Sequence, residues 1–299
     1  MWLVTGGSGF VGSHLLDHLD ALGQASVSPS RAELDLLDAE GVRAAIRELR
    51  PTVVCHLAAR ASVKHSWERP TETLVQNVTM AANLLEALRL EAREATLVLA
   101  GSGEVYGPPE TQPVDEEAPL RPQNPYAVSK AACDLLGGQY ADSQGLRVVR
   151  TRAFNHAGPG QSEDYVLGTL TRQVAEAEAG GKEDALLRTG SLDAARDFTD
   201  VRDVVRAYAV AAELPAGAYN VCSGRAVRIG ELVELVRGCA RIPVRQELDP
   251  ARLRPHEVLE VRGSAERLER ASGWRPAIPL ERTVGDALDH WRARLAAGG

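Results

Sequence analysis

The chain has 299 residues, of which 44% are hydrophobic and 25% charged, and its net charge is −7. This composition is typical of a soluble globular protein with room for one large or two smaller domains, and no apolar run is long enough to span a bilayer. The negative charge excludes a general attraction to nucleic acid or to an anionic membrane. Anionic ligands would therefore need locally placed arginines.

The N-terminus and the cysteines bear on the compartment. The chain begins directly with an apparent strand at residues 1–4, so we expect no signal peptide and a cytoplasmic location. The four cysteines show no Cys-x-x-Cys spacing and mostly lie in apolar segments. We expect buried free thiols at Cys55, Cys133, Cys222 and Cys239.

Up to about residue 150, short apolar runs alternate with helical patterns. The runs predict strands, most of them buried in a parallel sheet, at residues 3–5, 25–29, 53–58, 96–100 and 146–150. Apolar residues at helical spacing predict helices over residues 11–22, 78–88 and 126–140. This alternation predicts an α/β fold with a doubly wound parallel Rossmann sheet.

After residue 150 the alternation breaks down. Loops rich in glycine or proline are expected at residues 157–161, 179–182 and 243–255. Two helices stand out, one capped by Asp200 and one over residues 229–236. We therefore expect a dinucleotide-binding domain at residues 1–150 and a smaller, irregular substrate domain at residues 151–299, with segments that return to the sheet.

A glycine-rich loop follows the first strand and opens the first helix, with glycines at Gly6, Gly9 and Gly12. Such a loop lets a pyrophosphate approach the helix N-terminus, where backbone N–H groups and the helix dipole favour negative charge. Its position directly after an N-terminal strand favours a dinucleotide site over an ordinary loop.

The tip of the second strand bears on the type of dinucleotide. A free 2′-hydroxyl usually meets an acidic residue about 20 positions after the loop, but this strand ends in two serines and Arg31, with Glu33 close by. Serines and an arginine suit a 2′-phosphate better, so we favour NADP(H) and keep NAD(H) open. Asp35, with Leu36, would meet the adenine edge, or Asp35 would instead cap a helix.

Tyr126 and Lys130 are the most informative residues. Four positions apart on a helix, a phenol and an ammonium share one face. A fixed positive charge favours the phenolate, so we expect Lys130 to lower the pKa of Tyr126 into a range where it exchanges a proton. Together with the glycine loop, the pair predicts a redox enzyme.

These motifs occur with others in a definite order. The first half carries residues 5–12, 102–107, 126–130 and 152–155, and the second half carries residues 154–161, 196–201, 219–224 and 254–257. Over its whole length the chain resembles the extended short-chain dehydrogenase/reductases, the NAD-dependent epimerase/dehydratase family, that act on nucleotide-sugars. It is most similar to the GDP-4-keto-6-deoxy-D-mannose reductases and the GDP-mannose 4,6-dehydratases.

The resemblance implies a catalytic triad of Ser102, Tyr126 and Lys130. In a reductase, Ser102 would hydrogen-bond the substrate oxygen that changes between carbonyl and hydroxyl. Tyr126 would give that oxygen a proton as the nicotinamide delivers a hydride to carbon 4 of a 4-keto sugar. Lys130 would hold the nicotinamide ribose.

Binding residues follow from the loop and the resemblance together. The expected cofactor contacts are Gly6, Gly9, Phe10, Val11, Gly12, Arg31, Asp35, Leu36, Leu57, Ala58, Ala59, Lys130 and Ala153. Arginine forks suit a diphosphate, and the resemblance assigns Arg196 and Arg254 to it, Asn155 to the diphosphate or sugar, and Glu257 to ribose hydroxyls. We expect no metal ion.

Glu104 keeps a second reaction open. A 4,6-dehydratase must also remove the carbon-5 proton and expel the carbon-6 hydroxyl, and Glu104 stands where the mannose dehydratases keep the carboxylate for this. Against this reaction, Gly103 cannot supply the acid of glucose-type dehydratases, and residues 157–161 resemble the reductases. The reductase is favoured, with a GDP-mannose 4,6-dehydratase or a nucleotide-sugar 4-epimerase as alternatives.

Two further expectations concern class and assembly. A non-catalytic dinucleotide-binding sensor is the alternative of a different class, which the intact triad disfavours. The resemblance also implies a homodimer through the helices at residues 81–88 and 131–136. Their apolar residues are equally explained by packing on their own sheet.

Overall fold

The structure, a computed structural model, describes residues 1–252 and 258–297. Its strands are β1 (Trp2–Thr5), β2 (Ser26–Val27), β3 (Val53–His56), β4 (Thr96–Ala100), β5 (Arg147–Ala153), β6 (Asn155–Ala157), β7 (Ala185–Thr189), β8 (Ala195–Asp200), β9 (Gly217–Val221), β10 (Ala226–Arg228), β11 (Val244–Leu248) and β12 (Glu260–Val261). Its helices are α1 (Phe10–Ala21), α2 (Ala39–Leu49), α3 (Val63–Glu68), α4 (Pro70–Glu91), α5 (Pro125–Gln144), α6 (Val166–Ala179), α7 (Val201–Ala211), α8 (Ile229–Cys239), α9 (Glu266–Ser272) and α10 (Leu280–Ala297).

Within this described part, six strands form a parallel sheet in the order β2-β1-β3-β4-β5-β9. The predicted apolar runs form its central strands because side chains on both faces are buried, as in residues 53–55 and 97–99. Helices α1 and α7 cover one face, and α2, α4 and α5 cover the other. The predicted doubly wound parallel sheet is confirmed.

The remaining elements surround a second core. Strands β10, β8 and β12 form a small sheet that β6 joins through β8, and β7 pairs with β11. Helices α6, α8 and α10 pack against these strands around residues such as Leu170, Leu187, Leu232 and Leu288. Strand β9 and helix α7 also follow residue 150, but β9 belongs to the six-stranded parallel sheet and α7 packs on one of its faces. The domain division at residue 150 stays a prediction.

Two sequence-based expectations are wrong. The segment at residues 243–255 contains β11, which pairs in parallel with β7, and a 3-10 helix at Pro250–Arg252, rather than only a loop. Three polar residues interrupt β11, and Leu248 is 56% exposed, because this two-stranded sheet is covered only in part. Asp35 does not cap a helix, since α2 begins at Ala39 behind Asp38.

Most of the other expectations are met. The side chain of Asp200 caps α7 by accepting from the Arg202 N–H at 2.8 Å. The cysteines are free thiols, and three are buried; the expectation of a buried thiol is wrong for Cys239, which is partly exposed. None of the helices in residues 1–252 and 258–297 combines the length and the apolar character that a bilayer crossing requires.

Candidate active site

The carboxyl ends of β1, β3, β4 and β5 meet at one edge of the sheet, where doubly wound folds bind ligands. The glycine loop follows β1, residues 57–61 follow β3, Ser102 follows β4, and Asn155 follows β5. Segments far apart in the chain therefore converge on one cleft.

The glycine loop has the geometry that a pyrophosphate requires. Gly6 has a φ of +76°, and a Cβ there would lie 2.8 Å from the Ala58 backbone nitrogen. Helix α1 begins at Phe10, its N-cap is Gly9, and within the described residues no side chain caps it and no acidic residue lies in its first turn. First-turn N–H groups therefore stay available to an anion, so these residues fit a dinucleotide.

Residues 26–31, which form β2 and its tip, include an arginine and no carboxylate. Ser28 Oγ accepts from the Gly7 N–H at 3.1 Å and fixes the tip against the glycine loop. The nearby Glu33 carboxylate accepts from the Ser30 N–H at 2.7 Å. Arg31 is exposed beside it, so the charge at this tip favours NADP(H).

The remaining predicted cofactor residues lie around the same edge. Asp35 Oδ1 accepts from the Leu37 N–H at 3.1 Å, and Leu36 is buried in the core. The Ala58 N–H donates to Thr5 Oγ1 at 3.3 Å, which ties residues 57–59 to the end of β1. Their contacts with a cofactor, like that of Ala153, stay predictions.

Tyr126 lies in the first turn of α5. Asn124 caps this helix by accepting from the Ala127 N–H at 2.8 Å, and its amide also donates to Glu104 Oε2 at 3.0 Å. Ser102 lies close enough to the Tyr126 phenol to favour its ionised form. Lys130, one turn later, is buried and its Nζ donates to the Ala100 carbonyl at 2.8 Å.

The expected effect of Lys130 on Tyr126 is wrong in direction. Burial and the neighbouring phenol of Tyr165 raise the pKa of Tyr126 well above its ordinary value, against the opposite effect of Ser102. Burial also lowers the pKa of Lys130. Loss of water outweighs the helical spacing, because Lys130 faces a backbone carbonyl rather than the phenol. Tyr126 is therefore a protonated acid at neutral pH.

Sequence reasoning missed the buried residue Asn77 on α4. Its Oδ1 accepts from the Arg60 N–H at 2.7 Å, and its Nδ2 donates to Ser129 Oγ at 2.9 Å. Ser129 Oγ donates in turn to the Tyr126 carbonyl at 2.7 Å. Asn77 thus couples the loop after β3 to the first turn of α5, which holds Tyr126. A polar residue inside an apolar helical pattern was the available signal.

Two of the four residues expected to bind the substrate lie within the described part of the chain. Asn155 is exposed at the start of β6. Arg196 lies on β8, and its Nη1 donates to the carbonyls of Ala195 and Val258 at 2.8 Å each. Arg254 and Glu257 lie outside the described residues.

A histidine joins the substrate side to the cofactor loop. His156 follows Asn155, and its ring stacks on Phe10 with a centroid separation of 6.1 Å. Burial lowers the pKa of His156, against a hydrogen bond to the Phe154 carbonyl. A neutral ring in this place positions residues 157–161 against α1, where the Pro159 carbonyl lies 2.9 Å from His14 Nε2.

Comparisons with known proteins agree with this geometry. A family model described as GDP-mannose 4,6 dehydratase matches residues 24–287. A GDP-6-deoxy-D-mannose reductase from Pseudomonas aeruginosa is 39% identical over 297 residues, covering 98% of this chain and 97% of that protein.

Solved structures match as well. The structure of RMD from Pseudomonas aeruginosa complexed with NADPH has a TM-score of 0.87 and 34% identity, covering 98% of this chain and 99% of that one. The UDP-glucose 4-epimerase of Thermus thermophilus in complex with NAD has a TM-score of 0.84 and 33% identity, covering 97% of this chain and 98% of that one.

Proposed function

Because this chain belongs to the GDP-mannose 4,6 dehydratase family, we propose that it reduces the 4-keto group of a GDP-linked 6-deoxyhexose with NADPH. The chain is an NAD(P)-dependent enzyme of nucleotide-sugar chemistry. One observation carries the proposal: Ser102 at the end of β4 and Tyr126 with buried Lys130 in the first turns of α5 lie at the sheet edge that the glycine loop shares.

The side chains divide the chemistry between them. NADPH, when bound, supplies the hydride to carbon 4. Tyr126 donates its proton to the carbonyl oxygen as negative charge develops there, and Ser102 holds that oxygen by a hydrogen bond. Lys130 would hold the nicotinamide ribose, with its ammonium fixed by the Ala100 carbonyl. Burial raises the pKa of Tyr126, so the proton to be donated is in place at neutral pH.

A second candidate is the 4,6-dehydration of GDP-mannose, and Glu104 is the observation that favours it. Its carboxylate is exposed at the sheet edge and accepts from Asn124, the residue that caps the catalytic helix. The reductase stays ahead because it needs no base beyond Tyr126. Under the reductase proposal, Glu104 orients Asn124 and the first turn of α5.

The test uses purified enzyme with GDP-4-keto-6-deoxy-D-mannose and NADPH, followed by the absorbance of the reduced nicotinamide. We expect consumption of NADPH, faster than of NADH, and a loss of about 10²-fold or more in Tyr126→Phe. Mass-spectrometric loss of water from GDP-mannose, without net cofactor turnover, would establish the dehydratase instead. Binding of cofactor with neither reaction would leave a nucleotide-sugar 4-epimerase or a non-catalytic sensor.

For assembly we propose a homodimer through α4 and α5. Leu84, Leu85 and Leu88 pack inside their own chain, whereas Val75 is 54% and Leu135 63% exposed. Light scattering should give twice the mass of the chain, and Leu135→Glu should give a monomer. A monomeric wild-type protein would contradict this surface. We also propose a cytoplasmic location, which suits four free thiols.

A further inference from the structure

Tyr165 reaches across the cleft. It precedes α6, in the half of the chain that holds Asn155, and its hydroxyl donates a long hydrogen bond, 3.5 Å, to the carbonyl of Ala61. Ala61 lies in the loop after β3, 104 residues earlier in the chain. One phenol therefore connects the nucleotide side of the cleft to the substrate side.

The acceptor of that hydrogen bond sits on a fixed backbone. Asn77 makes two hydrogen bonds with the backbone of Arg60, the residue before Ala61. Its Oδ1 accepts from the Arg60 N–H at 2.7 Å, and its Nδ2 donates to the Arg60 carbonyl at 3.2 Å. Asn77 also donates to Ser129 Oγ at 2.9 Å, and Ser129 Oγ donates to the Tyr126 carbonyl at 2.7 Å, so the backbone that Tyr165 contacts is tied to the turn that holds Tyr126. Tyr165 thus borders the place where the substrate carbonyl must lie.

The surface that Tyr165 presents is apolar. Its side chain is 41% exposed, and its hydroxyl is engaged by the Ala61 carbonyl. The adjacent Asp164 carboxylate turns to its own loop, where it accepts from Ser162 Oγ at 3.3 Å. What remains for a ligand beside Tyr126 is the aromatic ring. A methyl group packs well on such a ring, whereas a hydroxyl placed there loses water without gaining a partner.

We propose that Tyr165 is a specificity-determining residue that forms the wall of the sugar site and selects a 6-deoxyhexose over a hexose with a 6-hydroxyl. Carbon 6 is attached to carbon 5, the neighbour of the carbon that Tyr126 serves, so its substituent lies within reach of an adjacent ring. The inference rests on the proposed function, because it assumes that the ligand is a GDP-linked sugar.

A binding experiment tests this without turnover. GDP-6-deoxy-D-mannose and GDP-D-mannose differ only in the 6-hydroxyl, and neither is reduced by the NADPH-bound enzyme because both carry an alcohol at carbon 4. Calorimetry on the NADPH complex should give a preference of about tenfold to 10²-fold for the 6-deoxy sugar in the wild type. GDP alone serves as the reference ligand.

Three variants separate the ring from its hydroxyl. Tyr165→Phe keeps the ring and should keep the preference. Tyr165→Ala should bring the ratio of the two dissociation constants close to one, with the affinity for GDP unchanged. Tyr165→Leu, which keeps apolar bulk if the alanine variant is poorly folded, should give an intermediate ratio.

The outcomes separate the two claims. An unchanged preference in Tyr165→Ala, or no preference in the wild type, overturns the role of Tyr165 while the reductase proposal stands. Failure of the wild type to bind either GDP-sugar overturns the proposed function and this inference with it.

Discussion

The pKa of His56 reports how completely the end of β3 is shielded from water. It ends β3 at 3% exposure, and its Nδ1 lies 2.8 Å from Thr5 Oγ1. The Thr5 hydroxyl accepts from the Ala58 N–H, which leaves its own proton for His56 Nδ1. Burial, and then the positive charge of Lys130, lower the pKa of His56 to about 3. The ring is therefore neutral in the folded protein at neutral pH.

The sign and size of the effect on stability follow from this pKa. In the unfolded chain a histidine titrates near 6.5, so on acidification the unfolded state takes up this proton first. The contribution of His56 to stability is intact above about pH 6.5 and is lost as the pH falls toward about 3. At pH 4.5, two units below the unfolded pKa, the loss amounts to about 3 kcal/mol.

Urea unfolding of the wild type and of His56→Asn at pH 7 and pH 4.5, followed by tryptophan fluorescence, checks this value. Asparagine cannot take up the proton, and its Oδ1 still offers Thr5 an acceptor. We expect the wild type to lose about 3 kcal/mol more than His56→Asn between the two pH values. His65→Asn, at an exposed position on α3, is the control. Equal losses in the wild type and His56→Asn would refute the reasoning.

Two further predictions concern a buried ion pair and the glycine loop. Arg152 Nε lies 2.9 Å from Asp134 Oδ2, so Asp134→Asn leaves the arginine as an uncompensated buried charge. Urea unfolding should show that the free energy of unfolding falls by about 3–5 kcal/mol. The control, Glu86→Gln at a surface ion pair, should lose less than about 1 kcal/mol. Gly12→Ala places a Cβ against the Gly6 carbonyl, so a fluorescence titration should show NADPH affinity reduced about tenfold or more, equivalent to about 1.4 kcal/mol; unchanged affinity in a folded variant would contradict the proposed loop.

Features carried by local chemistry could be predicted from the sequence. Apolar runs that are buried on both faces identify central strands, because few other elements need consecutive apolar residues. Asp200 was predicted as a helix cap from its place before an apolar helical pattern, and its side chain caps α7. The parallel sheet then brings the ends of its strands together, which placed Ser102 and Tyr126 in one site.

Features set by distant partners could not be predicted. Strand β11 consists mostly of polar residues, and only its pairing with β7 makes it a strand. Asn77 acquires its role from Arg60 and Ser129, both far away in the chain. Nothing in the pattern around residue 77 names those partners, although a buried amide must have them.

The error about Lys130 shows the same limit in electrostatics. Helical spacing places Lys130 and Tyr126 on one face, but a pKa depends on the water and the partners that each group keeps. The ammonium faces the Ala100 carbonyl, an acceptor that no side-chain motif can show. Tyr126 is accordingly protonated at neutral pH, the form in which a phenol can donate to a carbonyl oxygen.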